Sequence, residues 1–345
     1  MTPRWPRVQG EPQVEAVIRS CPEDFTVCEQ LGFDLSGEGE HVFLHLQKRQ
    51  ITTAQLVDRV SVLSDVPARG IGFSGLKDRN ALTRQWISVG LAGKPEPTWQ
   101  HLEQAGDVQV LAVKRHLRKL KRGVHQANRF VIQLRQLQGH TEDLERRLHR
   151  VRDEGVPNYF GEQRFGSRGA TLEQALGWMK AGGRKISRTR RSMFLSVLRS
   201  CLFNTLLADR VDRGSWNQIL EEDVCMLQGS RSHFICDVLD DSIMTRMQRG
   251  DIHPGLPLWG CGSQRAGASR IAQEAAVLAD SREICQFLER MGLDLTYRSA
   301  RLVVDDFYWE FCDDKSLRLE FCLGAGAYAT AILAELVNYT EGCRG

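Results

Sequence analysis

The sequence predicts an α+β protein in two parts: a mixed, mostly antiparallel sheet flanked by helices, built from both ends of the chain, and a second α+β domain inserted between them. Three observations predict it. The chain has 345 residues, long for one core and natural for two. Its first third and its last stretch alternate apolar and polar residues as half-buried strands do. The middle carries apolar residues at helical spacing, divided by Gly/Pro-rich loops.

In chain order, Phe25 and Val27 share a face of a strand over 24–29, and Val42, Leu44 and Leu46 do so over 41–47. Thr52 opens a helix, with Gln55 three residues on as a capping box. Leu56, Val57, Val60 and Leu63 form its apolar stripe, and Pro67 closes it. Ile71-Gly-Phe-Ser74 reads as a short strand running into Gly75, and further strands are expected at 85–89, 108–113 and 130–134. Asp78 therefore falls in a loop between two strands, where catalytic side chains commonly lie. After about residue 140 helices take over: a polar one over 141–152, a strong one over 191–211 with Phe194, Leu198, Leu202 and Leu206 at spacing four, and another over 271–291. His253-Pro-Gly-Leu-Pro257 reads as a loop. Strand patterns return at 302–309 and 317–322, and a last helix over 328–337 follows the turn Gly324-Ala-Gly326. No internal repeat or low-complexity tract is found.

Hydrophobic residues make up 42% and charged residues 26%, ordinary for a soluble globular protein. No apolar run follows Met1-Thr-Pro-Arg-Trp-Pro-Arg7, so no signal peptide is expected, and no stretch approaches the ~20 apolar residues of a membrane span. The expected location is the cytoplasm. Ten cysteines, at 21, 28, 201, 225, 236, 261, 285, 312, 322 and 343, include no C-x-x-C pair, which argues against a zinc site of the usual spacing. They read as free, mostly buried thiols in a reducing compartment. There is no G-x-x-x-x-G-K-[ST], H-E-x-x-H, G-x-S-x-G or deaminase pattern. Gly70-Ile-Gly-Phe-Ser-Gly75 contains G-x-G-x-x-G but runs into a Lys-Asp loop rather than a helix. Neither a metal nor an organic cofactor is expected.

Net charge is only +3, but the cations are clustered. Lys114, Arg115, Arg118, Lys119, Lys121 and Arg122 fall within nine residues, and the run from Arg184 to Arg191 adds five cations in eight. Either run alone fits a solvated basic face; the two together point to a polyanionic partner. In Gly75-Leu-Lys-Asp-Arg79, Lys77 and Arg79 flank Asp78 and in a loop all three can converge. A neighbouring cation favours an ionised carboxylate, which serves as nucleophile or base. Read alone, the five residues more commonly make a charged surface turn. Asn128-Arg-Phe130 offers an amide and a ring that stacks on a base, or a turn and a core residue. Asn158-Tyr-Phe-Gly-Glu-Gln-Arg-Phe-Gly166 interleaves Arg164 with aromatics, as a single-stranded or flipped base requires, or builds a compact structural turn.

Taken together these segments resemble the tRNA pseudouridine synthase D (TruD) family from about residue 15 to residue 340. Pro22-Glu-Asp-Phe-Thr-Val-Cys-Glu29, Gly37-Glu-Gly-Glu-His41, Gly75-Leu-Lys-Asp-Arg-Asn-Ala-Leu-Thr-Arg-Gln-Trp86 and Val156-Pro-Asn-Tyr-Phe-Gly161 with Gln163-Arg-Phe-Gly166 carry the likeness, in the family's order. The resemblance implies a pseudouridine synthase sheet over 1–154 and 304–345 with a family-specific TRUD domain inserted at 155–303. It implies a catalytic Asp78, a supporting Asn128 and a base-stacking Phe130, with Lys77, Arg19 and Glu23 beside them and Arg164 on the RNA. The implied reaction turns uridine into pseudouridine in tRNA, at position 13 in bacterial members. A monomer acting on tRNA, with no membrane and no metal, is expected. The chain departs from the family in three places. Arg19 stands where lysine is usual; Leu323-Gly-Ala-Gly-Ala-Tyr-Ala-Thr330 has Gly324 for Pro and Ala327 for Ser; and Ala334 replaces an arginine. Arginine differs from lysine in geometry and proton chemistry. A non-catalytic RNA-binding or tRNA-folding protein would use the same basic runs, but has no need of Lys77-Asp78 with Asn128 and Phe130. A hydrolase with Asp78 as base would lack a visible partner acid or metal.

Overall fold

The computed structural model of the chain describes residues 4–313 and 315–342; Cys343 and Met1-Thr-Pro3 lie outside the described residues. Strands come first: β1 (Val14–Ile18), β2 (Phe25–Gln30), β3 (His41–Lys48), helix α1 (Thr53–Ser64), β4 (Ile71–Phe73), β5 (Leu82–Gly90), β6 (Val108–His116) and β7 (Ala127–Gly139). The middle holds α2 (Thr141–Glu154), β8 (Val156–Pro157), α3 (Ala170–Lys180), α4 (Arg188–Asp212), β9 (Val224–Leu227), β10 (His233–Ile235), α5 (Asp241–Gln248), β11 (Ile252–Leu258), α6 (Ala268–Val277), α7 (Arg282–Arg290), β12 (Thr296–Ser299) and β13 (Arg301–Leu302). The chain then forms β14 (Asp305–Asp313), β15 (Ser316–Gly324), α8 (Ala329–Leu336) and β16 (Asn338–Glu341).

The first and last strands form one sheet, in the order β14-β15-β7-β2-β5-β3-β6, with β1, β4 and β16 attached. It is mixed and mostly antiparallel, parallel only where β2 meets β5 and β1 meets β16. β7 is its spine, pairing with β15 from Ser316 opposite Arg135 to Gly324 opposite Ala127. On its other edge β2 pairs with it, which sets Glu29 opposite Asn128 and Val27 opposite Phe130. One face buries Val42, Leu44, Leu46, Ile87 and Val89 under Leu56, Val57 and Val60 of α1. α1 begins where expected: Gln55 N donates to Thr52 Oγ1 over 3.2 Å, and Thr52 N to Gln55 Oε1 over 2.9 Å. Asp65, in the left-handed region at φ 49°, ends it.

Packing divides the chain into two compact units. The sheet unit is Gln13–Glu142, Val304–Gly326 and the described part of Val337–Gly345. The other is Asp143–Val303 with the described part of Met1–Pro12 and with Ala327–Leu336. These lines differ from the expected 1–154 plus 304–345 against 155–303. Arg147 on α2 is the physical reason. It is buried, bonds Asp143 Oδ2 at 2.7 Å, and donates to the carbonyls of Gln9 at 3.0 Å, Glu11 at 3.1 Å and Glu335 at 3.0 Å. One guanidinium thus ties the start of the chain and α8 to α2.

In this second unit α4 is the central rod, burying Phe194, Leu198, Leu202 and Leu206 as the spacing predicts. Two expectations are corrected. The helix expected over 271–291 is two helices, α6 and α7, broken at Ala279–Ser281 beside buried Leu278. His253-Pro-Gly-Leu-Pro257 is no loop: it lies in β11, between β9 and β12, and is buried. The density of Pro and Gly reads as a breaker locally, yet burial decides, and Pro254 still uses its carbonyl to accept from Ala300 N at 2.8 Å. Among the described residues no helix is long and apolar enough to cross a membrane.

Gly72 links sheet and basic run. A Cβ there would lie 2.3 Å from the Leu120 carbonyl and 2.5 Å from Ser88 Oγ, the group that accepts from Leu120 N at 2.9 Å. Only a residue without a side chain lets the basic segment close over β4. Gly72→Ala is expected to lower stability by about 1–3 kcal/mol, the usual range for overpacking. Denaturant unfolding checks this, and a midpoint equal to wild type contradicts the close approach.

Candidate active site

Asp78 lies in the loop joining β4 to β5, as expected, and its side chain is 42% exposed. Lys77 and Arg79 do not converge on it. Lys77 turns inward and is only 6% exposed; its Nζ lies 3.0 Å from Glu29 Oε2 and donates to Asn128 Oδ1 at 2.5 Å. Arg79 donates to the Gln50 carbonyl at 3.0 Å. The cation on Asp78 is Arg19, in the connection between β1 and β2, with Nη2 2.9 Å from Asp78 Oδ2. The other carboxylate oxygen accepts from Asn80 N at 3.0 Å, a local turn that holds the side chain upright.

Arg19 is itself held from three directions. Its Nη1 lies 2.6 Å from Glu341 Oε1 on β16, and its guanidinium lies 4.3 Å above the Phe25 ring. Its backbone is in the left-handed region, φ 57°, uncommon for a bulky residue and a local cost of about 1–2 kcal/mol that these contacts offset. Phe25 meets Phe130 edge-on at 6.2 Å, and Phe130 stacks on Phe321 at 5.3 Å. Phe130 is 8% exposed, so its neighbours leave only a small part of the ring free.

Three of the residues that build this site gave no sequence expectation. Glu29 closes the inner end: its Oε1 accepts from Trp86 N at 3.2 Å while its Oε2 holds Lys77. Lys48 is fully buried, donating to the carbonyls of Ile51 at 2.7 Å and of Asp78 itself at 2.8 Å. Burial pushes its ammonium down to about 8, against the pull of Asp78. Lys48 falls on the buried phase of the alternation Val42, Leu44, Leu46, and a charge at an apolar position was its available signal. His125, in the loop before β7, bonds Ser74 and Asn128, and nothing in the pattern marks it.

The other expected residues lie elsewhere. Glu23 pairs with Arg49 at 3.2 Å, beside a cavity of about 440 Å³ that Lys48 also lines. In the basic run Arg115 is tied to Glu96, Lys119 to the Arg69 carbonyl, and Arg122 lies 3.6 Å over the Phe73 ring. Lys114, Arg118 and Lys121 are exposed. Arg164 lies 5.6 Å over the Phe160 ring, with Nε 3.4 Å from Ser200 Oγ. The aromatics around it are no platform for a base: Tyr159, Phe160 and Phe165 are all buried. The compact structural turn is what Asn158–Gly166 forms. Nine cysteines are free among the described residues, as expected, though Cys261 and Cys312 are exposed. Among the described residues no three His, Cys, Asp or Glu are placed to hold a metal ion.

An exposed carboxylate gripped by one arginine, beside a buried lysine, amide and carboxylate, is a site for charge to develop on a bound group. The family model for "tRNA pseudouridine synthase D (TruD)" matches residues 7–175 and 170–336. The chain belongs to the tRNA pseudouridine synthase D family. By that membership it is an isomerase, a pseudouridine synthase acting in tRNA modification. It is 45% identical to the tRNA pseudouridine synthase D of Methylococcus capsulatus over 97% of this chain and 94% of that protein. It is 44% identical to that of Nitrosococcus oceani over 96% and 92%, and 41% identical to that of Pseudomonas putida over 96% and 94%. A crystal structure of a putative tRNA pseudouridine synthase D from Methanosarcina mazei shares the fold, with TM-score 0.70 and 20% identity over 95% of this chain and 94% of that one.

Two outcomes follow from the TruD-family geometry. Arg19→Met is expected to slow pseudouridine formation about 10- to 100-fold, since a charge-assisted hydrogen bond is worth about 1.5–3 kcal/mol and 1.4 kcal/mol is about tenfold. Arg19→Lys keeps the charge and is expected to retain most activity; equal loss in both variants contradicts a role through charge. Lys48 sets a pH dependence. Its folded value near 8 lies below the ordinary 10.5, so between the two the unfolded chain holds the extra proton. Its contribution to stability therefore rises with pH through that window and is lost as pH falls through about 8. Denaturation midpoints of wild type and Lys48→Met, compared from pH 7 to 10, are expected to shift in favour of wild type as pH rises; a constant difference refutes a buried, titrating lysine.

Proposed function

We propose that this chain converts uridine to pseudouridine at position 13 of tRNA, in the D-stem region, with Asp78 as the nucleophile. The observation that carries the reading is the Asp78 carboxylate itself. It is the exposed acid of a loop whose preceding residue, Lys77, is locked into the sheet by Glu29 and Asn128. The nucleophile is thus presented on a rigid support, which keeps a reacting atom close to its target.

The target uridine leaves its stack, because its glycosidic bond is otherwise unreachable. Exposed Lys114, Arg118 and Lys121, with the other cations of that run, hold the tRNA backbone and give sequence-tolerant affinity. The uracil comes to lie against the aromatic group of Phe25, Phe130 and Phe321, with Phe130 as its stacking partner. Asp78, kept in place by Arg19, attacks at C6 of the uracil or at C1′ of the ribose. On either route the accounting is the same. The C1′–N1 bond breaks with its electron pair going to the base, the base rotates, and a C1′–C5 bond forms as the carboxylate leaves. One proton moves from C5 to N1, so atoms and electrons balance within the substrate.

We further propose that residues 1–154 with 304–345 form the catalytic domain and 155–303 the inserted TRUD domain, and that the protein works as a metal-free monomer in the cytoplasm. Glu23 and Arg164 then serve the RNA.

Asp78→Asn is expected to leave tRNA affinity within about twofold and to abolish pseudouridine formation, a loss of several orders of magnitude as for other removed nucleophiles. Binding to unmodified tRNA transcripts and position-resolved mapping of pseudouridine measure the two separately. Formation near the wild-type rate, or modification only at other positions, overturns the assignment.

A further inference from the structure

Behind the supporting amide runs a part-buried chain of polar groups. His125 Nε2 lies 3.2 Å from Asn128 Nδ2, and His125 Nδ1 lies 2.5 Å from Ser74 Oγ. The backbone closes the same link: His125 N donates to Ser74 Oγ at 2.9 Å, and Gly123 N to the Ser74 carbonyl at 2.8 Å. Ser74, one residue before the nucleophile loop begins, is 3% exposed.

The donors and acceptors along this chain allow one arrangement. An ammonium only donates, so the group of Asn128 that meets Lys77 Nζ at 2.5 Å is the amide oxygen. The amide nitrogen then faces His125, and that ring nitrogen has to accept. The imidazole is therefore neutral, with its proton on Nδ1 and donated to Ser74. We propose that His125, in this tautomer, is a positioning residue of the reaction: it fixes the amide of Asn128, which fixes Lys77 beside Asp78. The inference rests on the reading of Asp78 as nucleophile.

Protonating His125 would set two donors against each other at Asn128. Turning the amide over relieves that clash only by aiming its nitrogen at Lys77, again donor against donor. One proton thus unsettles two hydrogen bonds. The charged groups that face the ring are Lys77, from the loop after β4, and Glu29, from β2. Burial first and then Lys77 hold the imidazole below its ordinary range, with Glu29 pulling the other way, so the neutral form prevails near pH 7.

The test compares the full-length wild type with His125→Phe, His125→Gln and Asp78→Asn on unmodified tRNA transcripts, measuring single-turnover rate and affinity separately. His125→Phe keeps ring volume and removes the acceptor; its rate is expected to fall about 10- to 100-fold with affinity within about twofold, as for a buried group left unpaired. His125→Gln supplies an acceptor for Asn128 and a donor, and is expected to recover to within about fivefold of wild type. Long-range proton–nitrogen correlation of the imidazole in the wild type, assigned with the glutamine variant, is expected to show the Nδ1-protonated tautomer at pH 7. That readout stands even if the phenylalanine variant misfolds. A wild-type rate in His125→Phe, a glutamine variant as slow as the phenylalanine one, or the Nε2-protonated tautomer overturns the proposal. If Asp78→Asn stays active, the nucleophile reading fails; if it is inactive and His125→Phe is not slowed, only the positioning role fails.

Discussion

The buried ammonium of Lys77 is the constraint from which the rest of the site follows. Removing a cation from water costs several kcal/mol, and the cost is offset only by a well-placed partner. Here β2 and β7 supply one each, because their register sets Glu29 opposite Asn128. Glu29 is in turn held by Trp86 N on β5, the strand that follows the loop. The loop therefore cannot drift. With Lys77 drawn into the sheet, the Asp78 carboxylate is left facing solvent, where Asn80 N and Arg19 hold it. Lys48 reinforces this from below by holding the Asp78 carbonyl. A charged residue buried at the end of β3 is costly, and this one is placed where it anchors the backbone of Asp78.

The grip on the carboxylate comes from a different part of the chain and has a different character. Arg19 is shared between Asp78 and Glu341 while its flat guanidinium rests on Phe25. A planar fork does all three at once; an ammonium on a flexible stem would choose among them. Arginine at a place where the family usually has lysine is therefore a matched exchange, with Glu341 and the ring taking up the additional donors and surface. The left-handed backbone at Arg19 lies just after β1, where the side chain meets the loop that carries Asp78.

How much of this was legible depended on whether a feature was local. The Thr52 cap, the strands around Asp78 and the exposed position of Asp78 itself follow from turn chemistry and alternation within a few residues. Lys77 and Asn128 were named, but the contact between them was not, because 51 residues separate them and only the assembled sheet, with β2 between β5 and β7, brings the loop before β5 to the start of β7. Glu29 ended a recognisable motif without a role, and His125 carried no pattern at all. In the other unit the Gly/Pro signal misled: Pro254 and Pro257 broke a strand on paper that burial makes in fact.

Long motifs mislead in the same way. Val156–Gly166 looked like a base-binding surface because it is rich in aromatic, amide and cationic groups. In the fold these groups satisfy one another. Asn204 Oδ1 accepts from Phe160 N at 2.9 Å and its amide donates back to the Phe160 carbonyl at 3.0 Å, while Asn158 Nδ2 donates to the Ser299 carbonyl at 2.9 Å. Arg298 lies 4.3 Å over the Phe160 ring and donates to Asn158 Oδ1 at 2.5 Å. The polar groups of Asn158 and the backbone of Phe160 are thus already committed, and loss of a partner would leave a buried polar group unpaired. A constraint of that kind restricts sequence as strongly as catalysis does. The two kinds of motif are separated by what their central polar atoms face: the amide of Asn158 faces the protein, and at Asp78 one oxygen pair, held from beneath and from one side, faces out.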